Sequence, residues 1–206
     1  MESNREKVSY CIGLEAGKNI KNQFKDIDHE LLKKGFQDAV GDRTPALADL
    51  EIKNILQALS QQIQMQQRAF VLQVSEKNRK EGEAFLSDNK QKPGVVALPS
   101  GLQYKVLSAG QGTNSPTLYD TVSIHCRGTF LDGTVFESTY ERGEPGKVPL
   151  NRVIQGWAEA LKMMKVGDKW QLFVPSYLAY GENGFGQHIE PNTTLIFEIE
   201  LVGING

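Results

Sequence analysis

Phe136, Trp157, Tyr177, Tyr180, Phe185 and Phe197 fall near turns and strand ends in the second half of a 206-residue chain. Aromatic rings at such places offer binding chemistry: apolar area, a polarised face, and hydroxyl or indole donors. Taken singly, each is most simply core packing. Nothing beside them suggests covalent or metal chemistry. His29, His125 and His188 have no ligand spacing and read as surface or strand-edge residues. Gly184-Phe185-Gly186 lacks the strand-to-helix setting of a phosphate loop. The acids of this half show no pairing. Cys11 and Cys126 lie in different halves without CxxC spacing, so two reduced, partly buried thiols are expected, with neither a disulfide nor a metal site. No cofactor is implied.

The elements that must position these rings are strands. SGLQYKVL, TVSIHCRGTF, VFEST, KWQLFVP and TLIFEIELV are β-rich runs. Val122, Ile124 and Cys126 alternate with Ser123, His125 and Arg127, and Leu195, Phe197, Ile199 and Leu201 alternate with Ile196, Glu198 and Glu200. Asp132-Gly133 marks a hairpin turn. One short helix is expected over 153–164. Five or so antiparallel strands against one helix make an α+β domain of about 110 residues.

The first half reads as helix. Ile12, Ala16, Ile20 and Phe24 recur at a spacing of four over 9–24. Asp28 is a candidate N-cap for HELLKKGFQDAV and Gly41 its stop. Thr44-Pro45 is a start signal, a cap residue before a proline at the first helical position. A long helix follows, with Ile52, Ile55, Leu56, Leu59, Ile63, Phe70 and Val74 on one stripe. Nine of the eighteen residues 75–92 are charged, so this end reads as a solvated spacer, and Gly82 as a mild weakening of the helix. Pro93-Gly94 ends it. A helix from Pro45 to Asn89 would be about 67 Å long, and its amphipathic front half needs another surface to cover it.

The formal net charge is −2, with 15 Lys+Arg against 14 Asp+Glu up to Gly94 and 8 against 11 after it. No basic stripe appears, and nothing draws the chain to nucleic acid. No apolar run approaches the ~20 residues of a membrane span. MESNREKVSY has no apolar segment of the signal-peptide kind. A cytoplasmic protein is expected, or a periplasmic or outer-membrane associated one if a signal was removed.

Order and spacing change the reading of the aromatics. GTFLDGTVFEST, RGEP, VIQGWAEALKMMKVGDKW, PSYLAYGENG and IEPNTTLIFEIELV closely resemble successive segments of the FKBP-type peptidyl-prolyl cis-trans isomerases. In the first half, YCIGLEAGKN, KGFQDA and EGEAFLSDNKQKPGVVALPSGLQYKV resemble the Mip-like bacterial subgroup. The resemblance implies a helical dimerisation domain over 1–44, a long connecting helix over 45–93, and an isomerase domain over 94–206 whose antiparallel sheet wraps one short helix. It implies a homodimer through the N-terminal helices, proline-containing polypeptides as substrates, and macrolides as inhibitors.

Carried over by position, Tyr180, Trp157, Phe136, Ile154 and Phe197 are the expected catalytic residues. Trp157 would form the floor, and Tyr180 Oη and the Ile154 N–H would be donors. Cys126, Glu137, Arg142, Val153, Phe185 and Ile189 would complete the substrate site. The chain departs from the family at Cys126 and Glu137, where tyrosine and aspartate are usual, and at Glu190, where many members carry proline or glycine. Glu137 is expected to reach into the space Cys126 leaves, toward Arg142. The function implied is acceleration of X-Pro isomerisation in protein folding. The alternative is a dimeric chaperone that binds unfolded chains with weak or vestigial isomerase activity.

Overall fold

In the computed structural model, which describes Met1 and residues 3–205, the chain divides into two units, Met1–Ile63 and Gln64–Gly206. The first unit is helical. Helix α1, Asn4–Gln23, starts earlier than its apolar spacing suggests because Ser3 and Glu6 close a reciprocal capping box. Helix α2, His29–Val40, is capped by Asp28, whose carboxylate accepts from the N–H groups of Glu30 and Leu31, and it ends at Gly41. Neither helix buries a residue, and Ile12, Leu31, Phe36 and Val40 are exposed. Cys11 is exposed too, which corrects the expectation that both thiols are partly buried.

Helix α3 is Asp49–Asn89, beginning four residues after Pro45. Its first turn carries Asp49 and Glu51 instead, acids that suit the positive end of the helix. The Thr44-Pro45 signal therefore lies in the preceding loop.

The last turns of α3 correct the reading of a solvated spacer. Gly82 and Asn89 are buried. Asn89 Nδ2 donates to Gln103 Oε1 at 3.0 Å, and Gln103 Nε2 donates to the Leu86 carbonyl at 2.8 Å. Phe85 packs on Phe173 with ring centroids 5.9 Å apart. A Cβ on Gly82 would collide with Thr194 Oγ1 and lie 3.1 Å from Thr194 Cβ. Glycine here permits a close approach of helix to loop, and is no mere weak point of the helix. The charges of this segment, with Arg79 held between Glu76 and Glu83, sit on the exposed side.

The second unit is a seven-stranded antiparallel sheet. Its strands are β1 Val95–Ala97, β2 Gln103–Ser108, β3 Thr121–Thr129, β4 Val135–Ser138, β5 Gly146–Pro149, β6 Lys169–Val174 and β7 Leu195–Asn205. The order is β1-β2-β6-β7-β3-β4, with β5 on the β4 side of β3. β1 and β5 lie outside the five expected runs. Both are too short, at three and four residues, to alternate legibly.

Alternation works as expected where strands are long. Val122, Ile124 and Cys126 are buried from β3, and Leu195, Phe197, Ile199 and Leu201 from β7. Asp132-Gly133 turns β3 into β4, with the Phe130 N–H donating to the Thr134 carbonyl at 2.9 Å. Helix α4, Gln155–Leu161, lies within the expected range and adds Ala160 and Leu161 to the core. This core holds one wall of the site rigid.

Candidate functional site

β3 and β7 supply the base of a cavity, and shorter elements wall it in. From the sheet come Cys126 of β3, opposite Ile199, and Phe197 of β7, opposite Gly128, and Phe136 comes from β4. Phe136 meets Phe197 edge to face at 5.7 Å, and Trp157 of α4 meets Phe197 the same way at 5.1 Å. Such edge-to-face pairs suit the ring quadrupoles. Phe197 is only 3 % exposed. The cavity measures about 780 Å³, within the ordinary range for a ligand cleft.

Val153 and Ile154 lead into α4 from a 3-10 turn, Leu150–Arg152. The Ile154 carbonyl accepts from Trp157 and Ala158, while its own N–H has no backbone partner among the described residues. On the opposite side, Tyr180 stacks on Phe185 with centroids 4.8 Å apart. Phe185 and Ile189 exchange two backbone hydrogen bonds, at 2.8 and 3.1 Å, so both rims of this loop are tied together. Burial first, and then the Glu137 carboxylate, push the Tyr180 hydroxyl above its ordinary value, so it remains a donor.

The remaining wall is polar. Arg142 Nη2 donates to Glu137 Oε1 at 2.5 Å. Both groups are about half exposed, so the pair adds ~0–1 kcal/mol to stability. The buried Thr139 hydroxyl accepts from the Cys126 N–H at 2.8 Å, which pins β3 to the segment carrying Glu137 and Arg142. Burial raises the Cys126 thiol, Glu137 adds to the rise, and Arg142 opposes it. The thiol is therefore a small neutral wall group at physiological pH.

All eleven residues singled out from the sequence line this one cavity. Tyr177, the sixth of the aromatics near turns, does not; its hydroxyl donates to the Ser100 carbonyl at 3.0 Å elsewhere on the domain. Glu190 is also outside the cavity and accepts from Asn78 Nδ2 of α3 at 3.0 Å. The lining further includes Ile124, Thr139, Lys147, Val148, Arg152 and His188. Ile124 was readable, since it shares a strand face with Cys126. Lys147 and Val148 sit on β5, which alternation did not reveal. Trp157 Nε1 is buried without a partner among the described residues, but so is Trp170 Nε1 outside the cavity, so this is not peculiar to the site.

Among the described residues no cluster of His, Cys, Asp and Glu is placed to hold a metal, and no helix is long and apolar enough to cross a membrane. The geometry supplies an aromatic cleft with a few donors. That suits shape-selective binding and differential solvation more than bond-breaking chemistry.

Comparison with known proteins agrees with this geometry. Residues 5–106 match the domain amino terminal to FKBP-type peptidyl-prolyl isomerase, and residues 112–202 match the FKBP-type peptidyl-prolyl cis-trans isomerase model. The chain is 43% identical to the outer membrane protein MIP of Legionella longbeachae, over 99% of this chain and 87% of that protein. It is 40% identical to the peptidyl-prolyl cis-trans isomerase Mip of Coxiella burnetii, over 99% and 88%. The crystal structure of FkpA from Escherichia coli superposes with a TM-score of 0.78 at 34% identity, covering 100% of this chain and 98% of that one.

Proposed function

The chain belongs to the FKBP-type peptidyl-prolyl cis-trans isomerases, and from that footing we propose that the cavity between Phe136, Trp157, Tyr180 and Phe197 is where it turns X-Pro bonds. The observation that carries this is the convergence of all eleven sequence-selected residues on one aromatic cleft. Proline-containing segments of unfolded or partly folded chains are the substrates.

X-Pro rotation has a barrier near ~20 kcal/mol and takes tens of seconds or more unaided. No bond is made or broken, so no nucleophile is needed. At the top of the barrier the twisted amide has lost resonance and its carbonyl is less polar. An apolar cleft that sheds water penalises the planar amide more than the twisted one, which is differential binding of the transition state. Trp157 and Phe197 form the floor under the proline ring. The Ile154 N–H and Tyr180 Oη hold flanking carbonyls while the bond turns. Glu137, Arg142, Val153, Phe185 and Ile189 shape the walls, and Cys126 leaves one wall slimmer than tyrosine would.

Tyr180→Phe tests the donor role. It removes one hydrogen bond and little volume, so kcat/KM on an X-Pro peptide should fall about three- to tenfold, equivalent to ~0.7–1.4 kcal/mol. An unchanged kcat/KM would remove Tyr180 from the mechanism. No observation favours the chaperone alternative over the isomerase.

The homodimer belongs to the same reading. Support comes from the lack of any buried residue in α1 and α2 and from the exposure of Leu31, Phe36 and Val40. So much contiguous apolar surface calls for a partner copy. Sedimentation should give a dimer at micromolar concentration, and Phe36→Glu should shift it toward monomer. A monomeric wild type would end the dimer. The cytoplasmic placement expected from the sequence finds no support. A periplasmic or outer-membrane association is the alternative that one relative's name, an outer membrane protein, supports.

A further inference from the structure

The wall of the cleft that carries Tyr180, Phe185 and Ile189 is one loop, and both of its ends meet the same turn, residues 190–194, which leads into β7. The Asn192 N–H donates to the Gly181 carbonyl at 2.8 Å, so the turn holds the residue that directly follows Tyr180. Glu190 directly follows Ile189, so the turn also sets where Ile189 stands at the rim. Asn192 does this in the left-handed region, at φ 56°, which asparagine enters more readily than most residues.

What holds the turn is α3. Asn192 Nδ2 donates to Ser75 Oγ at 2.8 Å. Asn78 Nδ2 donates to Glu190 Oε2 and to the Pro191 carbonyl, both at 3.0 Å, and lies 3.4 Å from Thr193 Oγ1. Thr193 Oγ1 closes the turn on itself by donating to the Glu190 carbonyl at 2.7 Å. Among the described residues, every side-chain hydrogen bond from this turn to another element goes to α3. Ser75, Asn78 and Gly82 stand three and four residues apart, on one face of the helix, and Gly82 brings that face against Thr194. The other end of the same docking is remote from the cleft. There Phe85 meets Phe173 of β6 and Asn89 meets Gln103 of β2, and none of these four lines the cavity.

We propose that Asn78 and Ser75 are positioning residues for the isomerase cleft, acting through the 190–194 turn on Tyr180, Phe185 and Ile189. The proposal rests on the cleft being the isomerase site. Asn78 is the centre of the arrangement. Its amide has two hydrogens to offer, and one goes to the Glu190 carboxylate, a stronger acceptor than a neutral group. Glu190 is one of the places where this chain departs from the family, and its partner on α3 gives the departure a use. A catalytic group misplaced by about 1 Å can cost ~100-fold in rate, so even a slight loosening of the turn is readable in kinetics.

The test measures kcat/KM on a neutral X-Pro peptide, with a denaturation midpoint for every variant of the full chain. Asn78→Ala should lower kcat/KM about three- to fivefold. Phe85→Leu, at the remote end of the docking, should lower the midpoint and leave kcat/KM unchanged. In a Tyr180→Phe background, Asn78→Ala should cost less than about twofold, because the donor that it positions is gone. Asn78→Asp sets a second carboxylate against Glu190 and should cost about tenfold. Adding Glu190→Gln should recover most of that loss, because the new amide can donate to the new carboxylate. Wild-type kcat/KM in Asn78→Ala overturns the proposal. So does full additivity with Tyr180→Phe, and so does a loss in Phe85→Leu equal to that in Asn78→Ala. A wild type inactive on the peptide would instead strike the assignment of the site itself, and the proposal with it.

Discussion

Replacing Trp157 by alanine is expected to lower kcat/KM on a neutral X-Pro peptide by at least about thirtyfold, a loss of ~2 kcal/mol of transition-state stabilisation. The indole is the largest apolar surface in the cleft and meets Phe197 edge to face at 5.1 Å. Removing it lets water under the proline ring, and the cleft then no longer distinguishes a planar amide from a twisted one by desolvation. Stability should fall less than the 3–5 kcal/mol typical of a fully buried tryptophan, because Trp157 is only partly buried. Trp157→Phe keeps an aromatic edge on Phe197 and should retain an intermediate rate. Peptide kinetics, with near-ultraviolet dichroism of Trp170 to verify folding, check this. An alanine variant with more than a third of the wild-type rate would remove the floor from the mechanism.

Gly184→Ala has the second large effect, through the loop and not through the rings. Gly184 has φ 63° and ψ −162°, a region almost closed to residues with a side chain, at a cost of ~1–3 kcal/mol. Its Cβ would also collide with the Ile189 carbonyl, the group that accepts from the Phe185 N–H. Next in line are the Glu190 carbonyl carbon at 2.9 Å and Pro191 N at 3.1 Å, both backbone, so nothing flexible can give way. The loop must open, and Phe185 and Ile189 leave the rim together. The denaturation midpoint should drop by the equivalent of ~2–4 kcal/mol and kcat/KM by about tenfold. Gly186→Ala is the control. It too has positive φ, 59°, but its Cβ would meet nothing within 4 Å, so only the backbone strain is felt. Equal stability of the Gly184 and Gly186 variants would show that the collision does not matter.

Long strands and aromatic order were legible because they rest on side chains that repeat. Val122, Ile124 and Cys126 alternate, and so do Leu195, Phe197 and Ile199, and burial follows that alternation. The rings of the cleft come from four separate elements, and no periodicity joins them. Their order along the chain could be matched to a family, and that match placed them.

The docking of α3 was illegible for a physical reason. Beside the single Phe85–Phe173 contact, it is made by Gly82, Asn78, Asn89 and Gln103, whose contribution is close approach and hydrogen bonding, and hydrophobic spacing is blind to both. β5 was illegible for another reason: it carries a glycine and a proline in four residues and does not read as a strand.

The most direct test of the central claim is a single NMR experiment on an X-Pro peptide with a catalytic amount of the ¹⁵N-labelled protein, with saturating peptide for the protein spectrum. The chain has two tryptophans, Trp157 in the cleft and Trp170 stacked on Tyr104 away from it. Cis–trans exchange cross-peaks should appear for the peptide, while the Trp157 indole resonance shifts and that of Trp170 stays in place. Exchange with both indoles unmoved, or with Trp170 moving instead, would contradict the cleft as the place where the bond turns.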